Sequence, residues 1–322
     1  MKNDIQIGFI GLGTMGGPIA LNLCKAGHRL LVHDVRRAIA QPLIDAGAVW
    51  VDSVPMVAES SNVVFTSLPG PPEVEAVALG ANGMMLAMRK GSAYFDLSSN
   101  SPTTMRKVHA AFAERGVHAL DAPISGGPRG AKEGTLAIWV GGDRAVYDLH
   151  KPLLDVIGNH VAYVGAIGSG SIAKLVSVCT AYTVNCALAE IFSLGVKAGV
   201  EPLTLWDVVR QGAIGRRRTL DVMIDQFLPG KYDPAAFALR LAHKDVTLGT
   251  ALAREIGVPM RMTNLALAEM TEALGRGWGD RDARSCMLLE QERIGIHIAV
   301  DPERLRETLE RDPPAKGDPK HG

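Results

Sequence analysis

The chain has 322 residues, 47% apolar and 21% charged, which suits two ordinary domains with a core large enough to need no staples. Its 34 basic and 34 acidic residues cancel to a formal charge of zero, so nothing points to a nucleic acid or an anionic membrane as partner. The cysteines Cys24, Cys179, Cys186 and Cys286 form no CxxC pair and have no histidine cluster beside them, so neither a disulfide framework nor a metal site is expected.

The chain opens with an apolar run, residues 5–10, leading into Gly11-x-Gly13-x-x-Gly16 and then a helical pattern of Ile19, Ala20, Leu23 and Cys24. Strand, tight turn and helix in that order suit a dinucleotide. Gly11 permits the turn, Gly13 lets the backbone approach a pyrophosphate, and Gly16 lets the helix pack on the strand. The helix N-terminus then offers free N–H groups and a positive dipole end. A second strand, residues 29–33, ends at Asp34, the position at which a carboxylate accepts the adenosine ribose hydroxyls and repels a 2′-phosphate. NAD is therefore favoured, with NADP kept open by Arg36 and Arg37, either of which could pair with a phosphate. A glycine-rich turn with no ligand is the bland alternative.

Further along, a helix is predicted over residues 38–46, a short strand over 48–51, a helix from Val54 and a buried strand over 62–68. Pro69-Gly70-Pro71-Pro72 reads as a loop, with a helix over 73–79 beyond it. Residues 92–97 form the next strand, Ser101-Pro102 opens a helix with proline at its favoured first position, and strands follow over 117–121 and 136–140. Strands alternating with helices predict a parallel, doubly wound sheet, whose ligands sit beyond the carboxyl ends of its strands. The loops 11–16, 68–72, 98–102 and 123–127 all lie there.

The pattern changes after Gly165. Residues 171–198 hold no proline and a single glycine, Gly195, at helical period. Helices are predicted over 202–211, 219–227, 235–256, 260–276 and 280–294. The long helix is too apolar all round to stand in water, so it is expected to pack between domains or on a second subunit. The expected division is 1–165, an α/β dinucleotide-binding domain; 166–298, an all-α domain; and 299–322, a charged tail with a helix over 302–311 and a disordered end. No run of about 18 uncharged apolar residues is present. The first strand begins by Ile5 with no signal-peptide pattern before it, so a cytoplasmic setting is expected.

Four segments, spread over roughly residues 5–295, resemble the β-hydroxyacid dehydrogenase family, which includes 3-hydroxyisobutyrate dehydrogenases and tartronate semialdehyde reductases. The glycine turn with Asn22-Leu23-x-Lys25-Ala26-Gly27-His28 looks like its cofactor signature, Gly11, Leu12, Gly13, Thr14, Met15 and Gly16 being the turn residues. Asp121-Ala122-Pro123-Ile124-Ser125-Gly126-Gly127 looks like its substrate loop, residues 168–175 around Lys174 like its catalytic segment, and Lys244-Asp245 like its late Lys-Asp pair. The resemblance implies an α/β Rossmann domain joined by a long helix to an all-α domain, a small hydroxy acid substrate, and a homodimer or homotetramer. It implies that Ser99 contacts nicotinamide and substrate, that Leu68 and Pro69 pack along the cofactor, and that Lys244 touches the cofactor or active site.

Residue chemistry supports several of these roles. Ser125-Gly126-Gly127 sets a hydroxyl beside two amides with no side chain over them, a turn able to gather N–H donors for a carboxylate. Lys174 near the start of the long helix could take a hydroxyl proton as an amine and return it as an ammonium, if burial or a neighbouring cation lowers its pKa. A surface lysine is the alternative, but the helix dipole disfavours a cation in a first turn. The family usually has asparagine four residues later; here Val178 stands there, which makes that side of the pocket more apolar. Arg216, Arg217 and Arg218 read as a solvated helix start or, as the sharper alternative, as a run of which at least one reaches the cleft and binds a second acidic or polar substrate group. Two other readings compete: an imine reductase, against which the retained Lys174 counts, and a non-catalytic nucleotide-bound interaction protein, against which Lys174 and the lack of a basic extension count.

Overall fold

The computed structural model describes residues 5–311, apart from 213, 217 and the side chains of several helix positions between 179 and 255. The first half runs β1 (Gln6–Ile10), α1 (Gly16–Lys25), β2 (Arg29–His33), a 3-10 turn at Arg37–Ala40 continuing as α2 (Gln41–Asp45), β3 (Val49–Trp50), α3 (Val54–Glu59) and β4 (Val63–Thr66). It continues with α4 (Pro71–Leu79), β5 (Ala93–Asp96), α5 (Pro102–Ala113), β6 (His118–Asp121), β7 (Ile124–Ser125), α6 (Gly127–Glu133), β8 (Leu136–Gly141), α7 (Arg144–Leu154) and β9 (Gly158–Gly165).

The sheet order is β3-β2-β1-β4-β5-β6-β8-β7, with β9 also on β8. The run 3-2-1-4-5-6 is that of a dinucleotide-binding sheet, and its order reverses between β1 and β4, where such sheets open a crevice. Alternate residues of the central strands face opposite layers. Ile7, Phe9, Val63, Phe65, Ala93 and Phe95 join α1 and α7 in one core, and Val64 and Tyr94 join α3, α4 and α5 in the other. Phe9, Phe65 and Phe95 stack across three strands with ring centroids 6.2 and 5.5 Å apart. Helix α5 starts as its sequence predicts: Ser101 Oγ accepts the Thr103 amide, and Pro102 needs no donor there.

Three expectations for this half require correction. Pro71 and Pro72 belong to the first turn of α4 and not to a loop, because a first helical turn has no use for the N–H that proline lacks. The sheet is not wholly parallel. Asp121 pairs with Gly141 and β7 with β8 in antiparallel sense, so the 123–127 segment contains a short strand and the start of α6. Strand β9, parallel to β8, went unseen because its residues are mostly half-buried or exposed and show no apolar alternation.

The second half holds α8 (Ser169–Lys197), α9 (Pro202–Arg210), a 3-10 turn at Thr219–Met223, α10 (Leu239–Glu255), α11 (Arg261–Gly275), a 3-10 turn at Ala283–Met287 running into α12 (Leu288–Arg293), and α13 (Pro302–Arg311). Among the described residues its one β feature is an isolated bridge, Ala238 to Asp282. The helix expected over 219–227 is a single 3-10 turn, Thr219–Met223. The helix expected over 280–294 begins later, because Asp282 turns its carboxylate to the Ala236 and Phe237 amides and to Arg284. The expected disorder at the end of the tail concerns residues outside the described range. The chain packs as two compact units, Met1–Thr180 and Ala181–Gly322, the division falling inside α8. Within the second unit, Glu190 of α8 accepts the Met262 and Thr263 amides at the start of α11. Among the described residues no helix is long and apolar enough to cross a membrane.

Candidate active site

The glycine turn sits where β1 and β4 part. Gly11 has φ +90°, and a Cβ there would lie 2.3 Å from the Ser67 carbonyl oxygen. A Cβ on Gly16 would lie 1.9 Å from the Gly11 oxygen, whereas one on Gly13 would meet nothing within 4 Å. The outer glycines are thus required by the chain itself, and Gly13 faces open space. Asp34 closes the far end. Its carboxylate accepts the Leu12 amide at 2.8 Å and the Arg36 amide at 2.9 Å, and the Arg36 Nε lies 3.8 Å away.

Between these groups lies a cleft of about 550 Å³ that Gly13, Thr14, Met15, Asp34, Leu68 and Pro69 help to line. The residues fit a dinucleotide. The uncovered Gly13 backbone and the N-terminus of α1 suit a pyrophosphate, and Asp34 suits a ribose diol. Gly11 and Gly16 line the same cleft. Leu12 does not line it. Its side chain is in the core and its amide is committed to Asp34, so it supports the cleft from behind. His33 lines the cleft and bonds the Val51 carbonyl at 2.8 Å.

Beside the cleft, the ends of β4 and β5 share a buried polar network that sequence reading missed. Thr66 Oγ1 donates to Asp96 Oδ1 and lies 2.9 Å from the Tyr94 hydroxyl. The Ser98 amide and Asn100 Nδ2 also donate to the Asp96 carboxylate, and Ser98 Oγ accepts the Leu68 amide at 2.9 Å. Burial pushes the Asp96 carboxyl above its ordinary value against these donors, and burial with the nearby Asp96 charge pushes Tyr94 well up. The network locks the 67–69 loop to the 98–100 loop and leaves Ser99 exposed between two buried neighbours. Polar residues ending two adjacent apolar strands were the available signal.

Ser125 is half-buried on β7, opposite Ala137 of β8. Gly126 and Gly127 have φ +132° and +63°, and a Cβ on Gly127 would meet nothing within 4 Å. The turn therefore presents uncovered backbone, as a carboxylate anchor must. Lys174 lies in the second turn of α8, half-buried, and burial holds its ammonium below the ordinary lysine pKa. Val178 is half-buried one turn on.

Lys244 and the arginines 216–218 belong to the second unit, as does His243, for which no site role is expected. Lys244 lies in α10, its side chain outside the described residues. Arg216 is exposed, Arg217 is outside the described residues, and Arg218 pairs with Asp221. His243 bonds Thr271 Oγ1 at 2.9 Å.

The family description of the NAD binding domain of 6-phosphogluconate dehydrogenase matches residues 6–165, and that of the NAD-binding domain of NADP-dependent 3-hydroxyisobutyrate dehydrogenase matches residues 168–289. The chain is 34% identical to 2-(hydroxymethyl)glutarate dehydrogenase of Eubacterium barkeri, over 93% of this chain and 99% of that one. It is 36% identical to 2-hydroxy-3-oxopropionate reductase of Escherichia coli, over 80% and 88%. A solved structure of Mycobacterium tuberculosis 3-hydroxyisobutyrate dehydrogenase with L-serine superposes with a TM-score of 0.60 at 27% identity, covering 89% of this chain and 99% of that chain.

Proposed function

This chain belongs to the β-hydroxyacid dehydrogenase family and is an NAD(P)-dependent oxidoreductase, and from that premise we propose that it oxidises a β-hydroxy acid to the semialdehyde or keto acid with NAD, or runs the reverse reduction, using Lys174 as the proton-transfer group. The observation that carries the assignment is the state of Lys174: half-buried near the start of α8, with burial lowering its pKa. A lysine so placed is closer to neutrality than a solvated one, as a general base must be.

A nicotinamide held in this cleft would take the hydride from the carbon bearing the hydroxyl in oxidation and give it back to the carbonyl carbon in reduction. The protein supplies the rest. Lys174, as the free amine, removes the hydroxyl proton in oxidation; as the ammonium, it returns the proton to the carbonyl oxygen in reduction. Ser125, Gly126 and Gly127 hold the substrate carboxylate by hydroxyl and backbone N–H groups. Ser99 orients the reacting end from the loop that Asp96 and Ser98 fix in place. Asp34 selects the ribose diol over a 2′-phosphate, and Lys244 contacts the cofactor or the active site. Val178 in place of an amide makes one side of the pocket apolar, which favours an acid with an alkyl branch such as 3-hydroxyisobutyrate over a more polar one such as tartronate semialdehyde.

The enzyme is proposed to be cytoplasmic and a homodimer or homotetramer. Leu188 and Ile191 of α8 and Trp206 and Val209 of α9 are at least half exposed in the single chain, an apolar surface of the kind that a second subunit covers. The test is turnover of a β-hydroxy acid set with NAD and with NADP, repeated with Lys174→Ala. Loss of turnover with cofactor binding intact is expected; undiminished turnover ends the assignment.

A further inference from the structure

Asp121, at the end of β6, has no part in the roles above, yet it is 1% exposed and both its oxygens are engaged. Oδ1 accepts the Gly168 amide at 2.8 Å and Oδ2 the Ser171 amide at 2.6 Å. The first amides of a helix have no partner within it. In α8 the Ser169 amide turns to the Ala166 carbonyl, while the Ser171 amide, and that of Gly168 just before the helix, find their acceptor at the end of a strand 47 to 50 residues earlier. We infer that Asp121 is the positioning residue of the reaction: its buried carboxylate fixes the start of α8 against the sheet and thereby places Lys174. This rests on the reading of Lys174 as the proton-transfer group.

The packing around the carboxylate leaves little slack. A Cβ on Gly170 would lie 2.3 Å from the Trp139 carbonyl oxygen and 2.8 Å from that of Asp121. One on Gly141 would lie 2.6 Å from Asp121 Oδ1 and 2.9 Å from the Gly170 nitrogen. The ends of β6 and β8 and the first turn of α8 therefore meet backbone to backbone, with the carboxylate between them. Burial raises the Asp121 pKa, and the Ser171 and Gly168 amides oppose that shift by favouring the charged form.

A buried carboxylate is a costly way to cap a helix. A serine or asparagine beside the helix start would satisfy an amide without burying a charge. What the distant cap adds is register. Ser171 and Lys174 are three residues apart on one face of α8. Asp121 and Ser125 are four residues apart in the segment that holds the substrate carboxylate. The cap thus references the amine to the strand end from which the anchor segment itself departs. Misplacing a reacting group by about 1 Å can cost on the order of 100-fold in rate.

The test compares Asp121→Asn, which keeps one acceptor and turns an NH₂ toward the second amide, with Asp121→Ala, which removes both acceptors. Each is assayed in the full-length enzyme with the fastest β-hydroxy acid of the set above. The inference expects kcat to fall about tenfold in Asn and about 100-fold in Ala, with KM for the acid and Kd for NADH, read by fluorescence, within about twofold of wild type. On a Lys174→Ala background, Asp121→Ala should cost less than about twofold more, because it acts through a side chain already removed. An unchanged kcat in Asp121→Ala overturns the inference. So does a loss of NADH affinity alongside kcat, which would make Asp121 a support of the whole domain, and so does a full additive loss in the double variant. If Lys174→Ala is itself fully active, the functional reading fails; if Lys174→Ala keeps only a small residual turnover, against which the double variant is read, and Asp121→Ala is normal, only this inference does.

Discussion

Gly13 offers a way to separate folding from cofactor binding with one methyl group. The added Cβ of Gly13→Ala would meet no protein atom within 4 Å, and Gly13 is not among the glycines with positive φ. Alanine at such a position restricts the unfolded chain without straining the folded one, which stabilises by about 0.4–1 kcal/mol. For a chain of this size that raises Tm by about 0.6–1.5 °C. The same methyl stands in the space that a pyrophosphate must enter to reach the backbone, so Kd for NADH should rise at least about tenfold, equal to about 1.4 kcal/mol. Thermal unfolding without ligand and NADH fluorescence titration measure the two effects separately. Gly16→Ala is the counterpart: its Cβ would lie 1.9 Å from the Gly11 oxygen, so stability and binding should fall together. Wild-type NADH affinity in a stable Gly13→Ala protein would refute the assignment of this turn as the phosphate cradle.

Three further outcomes are expected. Because burial lowers the Lys174 pKa, oxidation should rise with pH along a limb set by a group titrating below the ordinary lysine value, and reduction should fall along the same limb; Lys174→Arg, which stays protonated, should abolish both, as kcat/KM profiles would show. Asp34→Asn removes the charge that repels a 2′-phosphate while leaving Arg36 beside it, so the ratio of kcat/KM for NADP to that for NAD should increase at least about tenfold; an unchanged ratio would move cofactor choice away from Asp34. Burial raises the Asp96 pKa, so the folded state holds that proton more tightly than the unfolded one, and the resulting stability is present at low pH and is lost as pH rises through the raised value. Asp96→Asn replaces one oxygen that accepts from Thr66, Ser98 or Asn100 with a donor and should be less stable than wild type at low pH by about 1–3 kcal/mol, with a gap in urea unfolding that narrows as pH rises.

Local sequence determined the elements whose signals lie within a few residues. Gly11, Gly13 and Gly16 announced the turn: Gly11 for its positive φ and close approach, Gly16 for its close approach, and Gly13 for the backbone it leaves uncovered. Ser101-Pro102 announced α5 because a hydroxyl cap and a residue lacking N–H both suit a first helical turn. The apolar strands β1, β4 and β5 were legible because both their faces are covered, and Lys174 was legible near the start of the long helix, though in its second turn and not the expected first, where the helix dipole has faded. Pairing across the chain was not legible. The reversal of β7 against β8 and the exposed β9 join residues more than ten positions apart, and the Thr66–Asp96 bond and the Asp121 cap on α8 join residues 30 and 47–50 apart. No local pattern marks such a pair, because a buried carboxylate and a solvated one are the same letter in the chain. Only the tertiary structure decides which amides it meets, and with that which backbone segment it holds in place.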